Sequence, residues 1–116
     1  MNKRELGRQG EEMAARYLKK QGYQILERNY HTRYGELDII CIKRNELVFV
    51  EVKTRRSIQY GTPEEAITPR KMDHLRKAAF IYIEASHPNF RELRFDVITI
   101  MMVDASEQIN HIKYAF

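Results

Sequence analysis

Two acidic residues stand where strands should be apolar. In residues 46–55 (ELVFVEVKTR), strand alternation puts Leu47, Phe49, Glu51, Lys53 and Arg55 on one face, and Val48, Val50 and Val52 on the other. Glu51 therefore interrupts an apolar face. In residues 35–43 (GELDIICIK), Asp38 shares a face with Glu36, Ile40 and Ile42. If Arg44 and Asn45 form the loop between these strands, Lys43 pairs with Glu46. Asp38 then falls opposite Glu51, and Glu36 opposite Lys53. A loop one residue longer would slip the register and break this match. Opposed residues hold their Cβ atoms about 4.5–5.5 Å apart, so two carboxylates there repel unless something neutralises them. A shared proton would do so. A hard divalent cation such as Mg²⁺ does so better, because it takes oxygen ligands from carboxylates and keeps several waters. Lys53 projects to the same side as Glu51, where an amine can orient water or stabilise charge on a phosphate. Glu11 offers a third acid. It precedes Ala15 and Leu18 on the inner side of a predicted helix, where a carboxylate needs a cation or a donor. The bland reading of the same residues is a cross-strand salt-bridge network on a sheet surface.

The elements that must position these groups are legible from periodicity. Residues 3–21 predict a helix, with Leu6, Gly10, Met13, Ala14, Tyr17 and Leu18 at three- and four-residue steps and Gly22 as a stop. Residues 23–30 predict a strand, and residues 35–43 and 46–55 two stronger ones. Gly61 to Pro63 is expected to be a loop. A second helix starts near Pro69 with Thr68 as its cap and runs to about Ala85. Residues 93–103 predict a strand and residues 109–114 a short last one. The expected order is α-β-β-β-α-β-β, a mixed α/β sandwich.

The composition narrows the classes of function. The chain has 116 residues, 43% hydrophobic and 31% charged, which suits a single folded domain over residues 1–116 rather than disorder. It has one cysteine, so an intrachain disulfide and a zinc-binding cysteine pair are excluded. Cys41 alternates with Ile40 and Ile42 as a core thiol. No apolar run approaches the roughly 20 residues that cross a bilayer. Met1 to Arg8 is charged and no apolar segment follows, so the expected setting is cytoplasmic. The four histidines are scattered without metal-ligand spacing, and there is no phosphate-binding glycine loop. Asp96 sits in an apolar strand with Arg94 on its face as a partner. The net charge is +4, and residues 52–77 carry all of that excess, with seven cations against three acids. A local basic patch of this kind can neutralise phosphates. Arg55, Arg56, Arg70, Lys71 and Lys77 are the candidates for nucleic-acid contact. Tyr60, before Gly61, could stack on a base or pack internally, and Glu36 could be an accessory acid or a partner for Lys53.

With these residues in view, the run Asp38 … Glu51-Val52-Lys53 resembles the D…(D/E)xK signature of restriction-endonuclease-like nucleases. More narrowly, the chain resembles the YraN-like family of small bacterial proteins, which is similar to archaeal Holliday-junction resolvases. Gly10-Glu11 with Ala14, Ala15 and Leu18 carries this resemblance, as do Gly35 to Ile40, Val48 to Lys53 with Arg55, Tyr60-Gly61 with Pro63, Arg94 to Val97, and Ala115-Phe116. Leu37 stands where the signature's proline is usual, which removes no ligand. The resemblance implies an αβββαβ core and phosphodiester cleavage dependent on Mg²⁺ or Mn²⁺. Asp38 and Glu51 would hold metal with help from the Val52 carbonyl, Lys53 would handle water or the scissile phosphate, and Glu11 would match the acid on the first helix. It also implies a possible homodimer. The expectation is an endonuclease of structured DNA. The alternative is a nucleic-acid-binding module of the same fold without cleavage, and a third reading is a purely structural protein.

Overall fold

Alternating apolar residues in the central strands have to be covered on both faces, and two helices do this. The computed structural model describes residues 2–56, 67–103 and 106–116. Its elements are α1 (Lys3–Lys20), β1 (Gln24–Thr32), β2 (Gly35–Lys43), β3 (Glu46–Arg55), α2 (Pro69–Ser86), β4 (Glu92–Val103) and β5 (Ser106–Ile112). The order is the expected one and contains an αβββαβ core. The loop expected at Gly61 to Pro63, and Tyr60 with it, lie outside the described residues.

Both helices start at side-chain caps. Asn2 accepts from the Glu5 amide at 2.8 Å, and Thr68 accepts from the Lys71 amide at 3.1 Å, with Pro69 in the first turn. Each cap satisfies an amide that the helix itself cannot. The strands form one five-stranded sheet in the order β1-β2-β3-β4-β5. All neighbours are antiparallel except β3 and β4, which run parallel with α2 as the crossover. The β2–β3 turn is the expected two-residue loop. Arg44 (φ 51) and Asn45 (φ 66) are both left-handed, as a type I′ turn requires.

The faces follow the predicted alternation. Val48 and Val50 join Ile39, Cys41, Ile98 and Ile100 beneath Ala14, Ala15 and Leu18 of α1. Leu47 and Phe49 join Ile40 and Phe95 beneath Leu75, Ala78, Ala79 and Tyr82 of α2. Each fully buried branched side chain stabilises the fold by about 1.5–3 kcal/mol. On the α1 side the sheet also encloses a polar network. Asp96 pairs with Arg94 (Nε to Oδ1, 2.9 Å) and with His111 (Nε2 to Oδ2, 2.6 Å), while Arg94 also reaches Glu46 and the Tyr23 hydroxyl. Although burial opposes it, hydrogen bonds from His111 and Arg94 hold the Asp96 carboxyl below its ordinary value. The structural role expected for Asp96 and the core position of Cys41 both agree with this arrangement.

Two boundaries differ from the sequence expectation. The last strand begins at Ser106 rather than Ile109 and ends at Ile112, and Tyr114 is left-handed (φ 54), which ends the extended run. β1 reaches Thr32, with a bulge between Ile25 and Glu27. Both are edge strands, where exposure blurs the alternation used to find them.

Candidate functional site

The β2–β3 ladder pairs Lys43 with Glu46 and keeps that register to Ile39 with Val50. Extending it would put Asp38 against Glu51, as the hairpin arithmetic required, but the main-chain pairing stops one step earlier. There the Val52 amide donates to Asp38 Oδ2 at 2.9 Å. A strand-edge donor is thus satisfied by a side chain instead of a neighbouring strand. In an extended residue the amide and carbonyl point to the same edge, so the Val52 carbonyl faces the same opening. Leu37 packs with Ile40 in the α2-side core, so the simple alternation of β2 breaks at Asp38.

This parting of the strands lets groups from both faces meet. From the α1 side comes Glu11. Its helix lies close on β3 because residue 10 is glycine: a Cβ at Gly10 would sit 1.9 Å from Thr54 Oγ1. Glu11, Glu36 and Asp38 each present a carboxylate oxygen, and the three oxygens lie within 4.8 Å of one another. From the α2 side comes Lys71. Its Nζ is 3.4 Å from Glu51 Oε1, and Lys53 Nζ is 3.4 Å from the same oxygen. Glu51 is buried.

The electrostatics follow from this crowding. Burial, then the Glu51 charge, push the Asp38 carboxyl up to about 8 against the lowering effect of the Val52 amide. Glu11 is raised by burial and then by Glu36. The acids repel one another, and the donors are hard oxygens. That set suits Mg²⁺ or Mn²⁺, with Asp38, Glu11 and Glu36 as the carboxylates close enough to share an ion, the Val52 carbonyl at the same opening, and Glu51 beside them with its Oε1 held by Lys53 and Lys71.

The structure favours one of the two readings left open for Glu36, the accessory acid, and adds one residue. Glu36 joins the acid trio and lies 3.3 Å from His31 Nδ1 on β1. Asn29 was not anticipated. Flanked by the pairs Arg28 with Ile39 and Tyr30 with Leu37, it sits across from Asp38 in left-handed conformation (φ 52). In the amide orientation that the neighbouring oxygens require, its nitrogen donates to Glu11 Oε1 at 2.7 Å and to Glu36 Oε1 at 2.6 Å. The available signal was weak: asparagine is rare in strands and tolerates the left-handed region.

The proposed nucleic-acid contacts fall in different places. Arg55 ends β3 and Arg56 follows it, and Arg70 and Lys71 lie in the first turn of α2, so these four stand on either side of residues 57–66, which lie outside the described residues. Lys71 was expected only as a phosphate contact, yet it touches Glu51. Lys77 is exposed on α2 and pairs with Asp73 at 3.1 Å. Among the described residues no helix is long and apolar enough to cross a membrane.

Residues 10–100 match the model of a family described as "Uncharacterised protein family UPF0102". A UPF0102 protein of Syntrophomonas wolfei is 58% identical over 113 residues, covering 97% of this chain and 98% of its own. One from Caldicellulosiruptor saccharolyticus is 49% identical over the full length of both chains. One from Rhodococcus opacus is 46% identical, covering 96% of this chain and 95% of its own.

Proposed function

We propose, on the premise that the chain belongs to the UPF0102 (YraN-like) family, that it is a divalent-metal-dependent endonuclease of branched or otherwise structured DNA. In this reading its core is of the restriction-endonuclease-like kind. The observation that carries the proposal is the packing of Glu11, Glu36 and Asp38 within 4.8 Å of one another beside Glu51. A salt-bridge network would answer each acid with a cation. Here both lysines go to Glu51, while Glu36 lies beside the His31 ring and the three acids crowd one another.

Asp38 and Glu51, with the Val52 carbonyl, would hold the ion, and Glu11 and Glu36 would complete the cage. Bound there, Mg²⁺ or Mn²⁺ supplies charge neutralisation at the phosphodiester and activation of the attacking water. The chain's own groups do the rest. The Val52 amide fixes one oxygen of Asp38 and leaves the other free to bind. Asn29 holds Glu11 and Glu36 in their mutual positions. Lys53 and Lys71 bring positive charge to the edge of the cluster, where it can orient a phosphate and stabilise charge that develops on it. A two-fold dimer would suit a two-fold-symmetric junction. Sedimentation with and without junction DNA tests that pairing.

The test of the activity is nicking of branched and linear DNA with Mg²⁺ or Mn²⁺. The wild-type protein is expected to cut, and Glu51→Ala and Lys53→Ala each to lose roughly 100-fold or more. Cutting that survives both changes would come from a contaminant and would end the proposal. Binding without cutting under either metal would favour a nucleic-acid-binding module.

A further inference from the structure

We propose that the groove between the β1–β2 turn and the outer face of α2 seats an unpaired nucleotide of the DNA substrate. This rests on the nuclease reading and specifies its substrate as DNA with a single-stranded portion.

The groove has a volume of about 690 Å³, and its lining includes Tyr34, Phe80 and Ile81 with the cations Arg33, Arg76 and Lys77. A volume of that order suits a nucleotide-sized ligand. Phe80 is 62% exposed, so its ring adds little to the core. Tyr34 is flanked by two cations: the Arg33 guanidinium lies 5.1 Å from the ring centroid and Lys77 Nζ 5.4 Å from it. Flat rings for a base beside cations for its phosphate are the chemistry with which proteins hold single strands.

The groove is also continuous with the acid cluster. Tyr34 lines both it and a neighbouring cavity of about 170 Å³, whose wall includes Glu36, Lys71 and His74. Glu36 belongs to the acid trio, and Lys71 touches Glu51. Lys71, His74 and Lys77 recur at three-residue steps along α2, so they follow one side of the helix. Lys71 and Lys77 are about 9 Å apart along its axis, close enough to meet neighbouring phosphates of one strand. A strand with one phosphate at the acids therefore brings a nearby base of the same strand to Tyr34 and Phe80. A base inside a duplex is already stacked and cannot offer its face to these rings. A second copy of the chain fits less well: a two-fold contact would set Arg33, Arg76 and Lys77 against themselves, with Glu84 as the acid lining the groove.

The test measures binding of a fluorescent oligothymidylate and of a duplex of equal length, without divalent metal. Phe80→Ala is expected to weaken single-strand binding about 5- to 100-fold, to leave duplex binding within about twofold, and Phe80→Trp to restore the loss. Tyr34→Leu is expected to behave like Phe80→Ala. If the wild type binds DNA but Phe80→Ala changes nothing, or weakens both probes alike, the groove proposal fails and the nuclease reading stands. A wild-type dimer that Phe80→Ala turns into a monomer would also overturn it, in favour of a second copy. A wild type that binds neither probe would also overturn the groove proposal, and nicking of branched DNA with Mg²⁺ or Mn²⁺ decides the nuclease reading separately.

Discussion

Asp38 is pulled in opposite directions by its surroundings. Burial and the Glu51 charge disfavour its ionisation, while the Val52 amide favours it, and the balance lies at about 8. Because this lies above the ordinary 3.8, ionising Asp38 opposes folding of the metal-free protein. Its effect on stability is therefore most favourable below about pH 4, declines as the pH rises toward 8, and is level above that. Asp38→Asn cannot ionise. In chelator it is expected to melt at a higher temperature than wild type at pH 8–9, with the gain vanishing near pH 4; thermal melts across that range check this. Metal uptake must also expel the proton, so Mn²⁺ titration at pH 7 should release about one proton per ion, read by calorimetry in two buffers of different ionisation heat. Asp38, Glu51, Lys53 and Glu11 were legible in the sequence because each is a charge on an otherwise apolar stripe. Asn29 was not, and the sequence left Glu36 open between an accessory acid and a partner for Lys53. Both places depend on a left-handed residue in an edge strand and on where β2 leaves β3, and periodicity registers neither.

The helix–sheet contact at Gly10 sets how far Glu11 reaches. A methyl there would overlap Thr54 Oγ1 and crowd Thr54 Cβ at 3.0 Å, so Gly10→Ala must displace α1 or turn Thr54. Overpacking of this kind costs about 1–3 kcal/mol. The variant is expected to show a lower Tm and weaker Mn²⁺ binding by calorimetry, and a second change, Thr54→Ala, should recover part of both. An unchanged Mn²⁺ affinity would mean that Glu11 is placed by something other than this approach. The central strands were readable to the residue because the turn at Arg44 and Asn45 and the glycine at 35 bound them, and because both of their faces are buried. β5 was misplaced by three residues at its start. Five of its seven positions are exposed, so burial imposes almost no pattern on them.

Across the molecule, the described residues hold a buried polar cluster around Asp96 and a half-buried one around Asp38, of opposite character. Around Asp96 every charge has a partner: Arg94, His111 and the Tyr114 amide surround the acid, and its carboxyl is held low. That lowered carboxyl adds stability above about pH 4, and the gain is lost as the pH falls through its folded value. Around Asp38 three carboxylates crowd one another and its carboxyl is pushed up. Asp96→Asn is expected to cost about 3–5 kcal/mol at neutral pH, because it leaves Arg94 buried with less to pair with. It should leave Mn²⁺ affinity of the folded protein unchanged. Calorimetric melts together with metal titration of the same sample separate the two effects. A parallel fall in metal affinity would mean that the two clusters are coupled through the sheet.

The early end of the β2–β3 ladder has a consequence for how this protein could evolve. The donor that grips Asp38 is one that an uninterrupted hairpin would use to zip itself further. Closing that seam by one more rung would strengthen the sheet and, in the same move, release the carboxylate and close the opening beside the acids. Sequence changes that make this hairpin more regular should therefore yield a hardier protein with a blunted site.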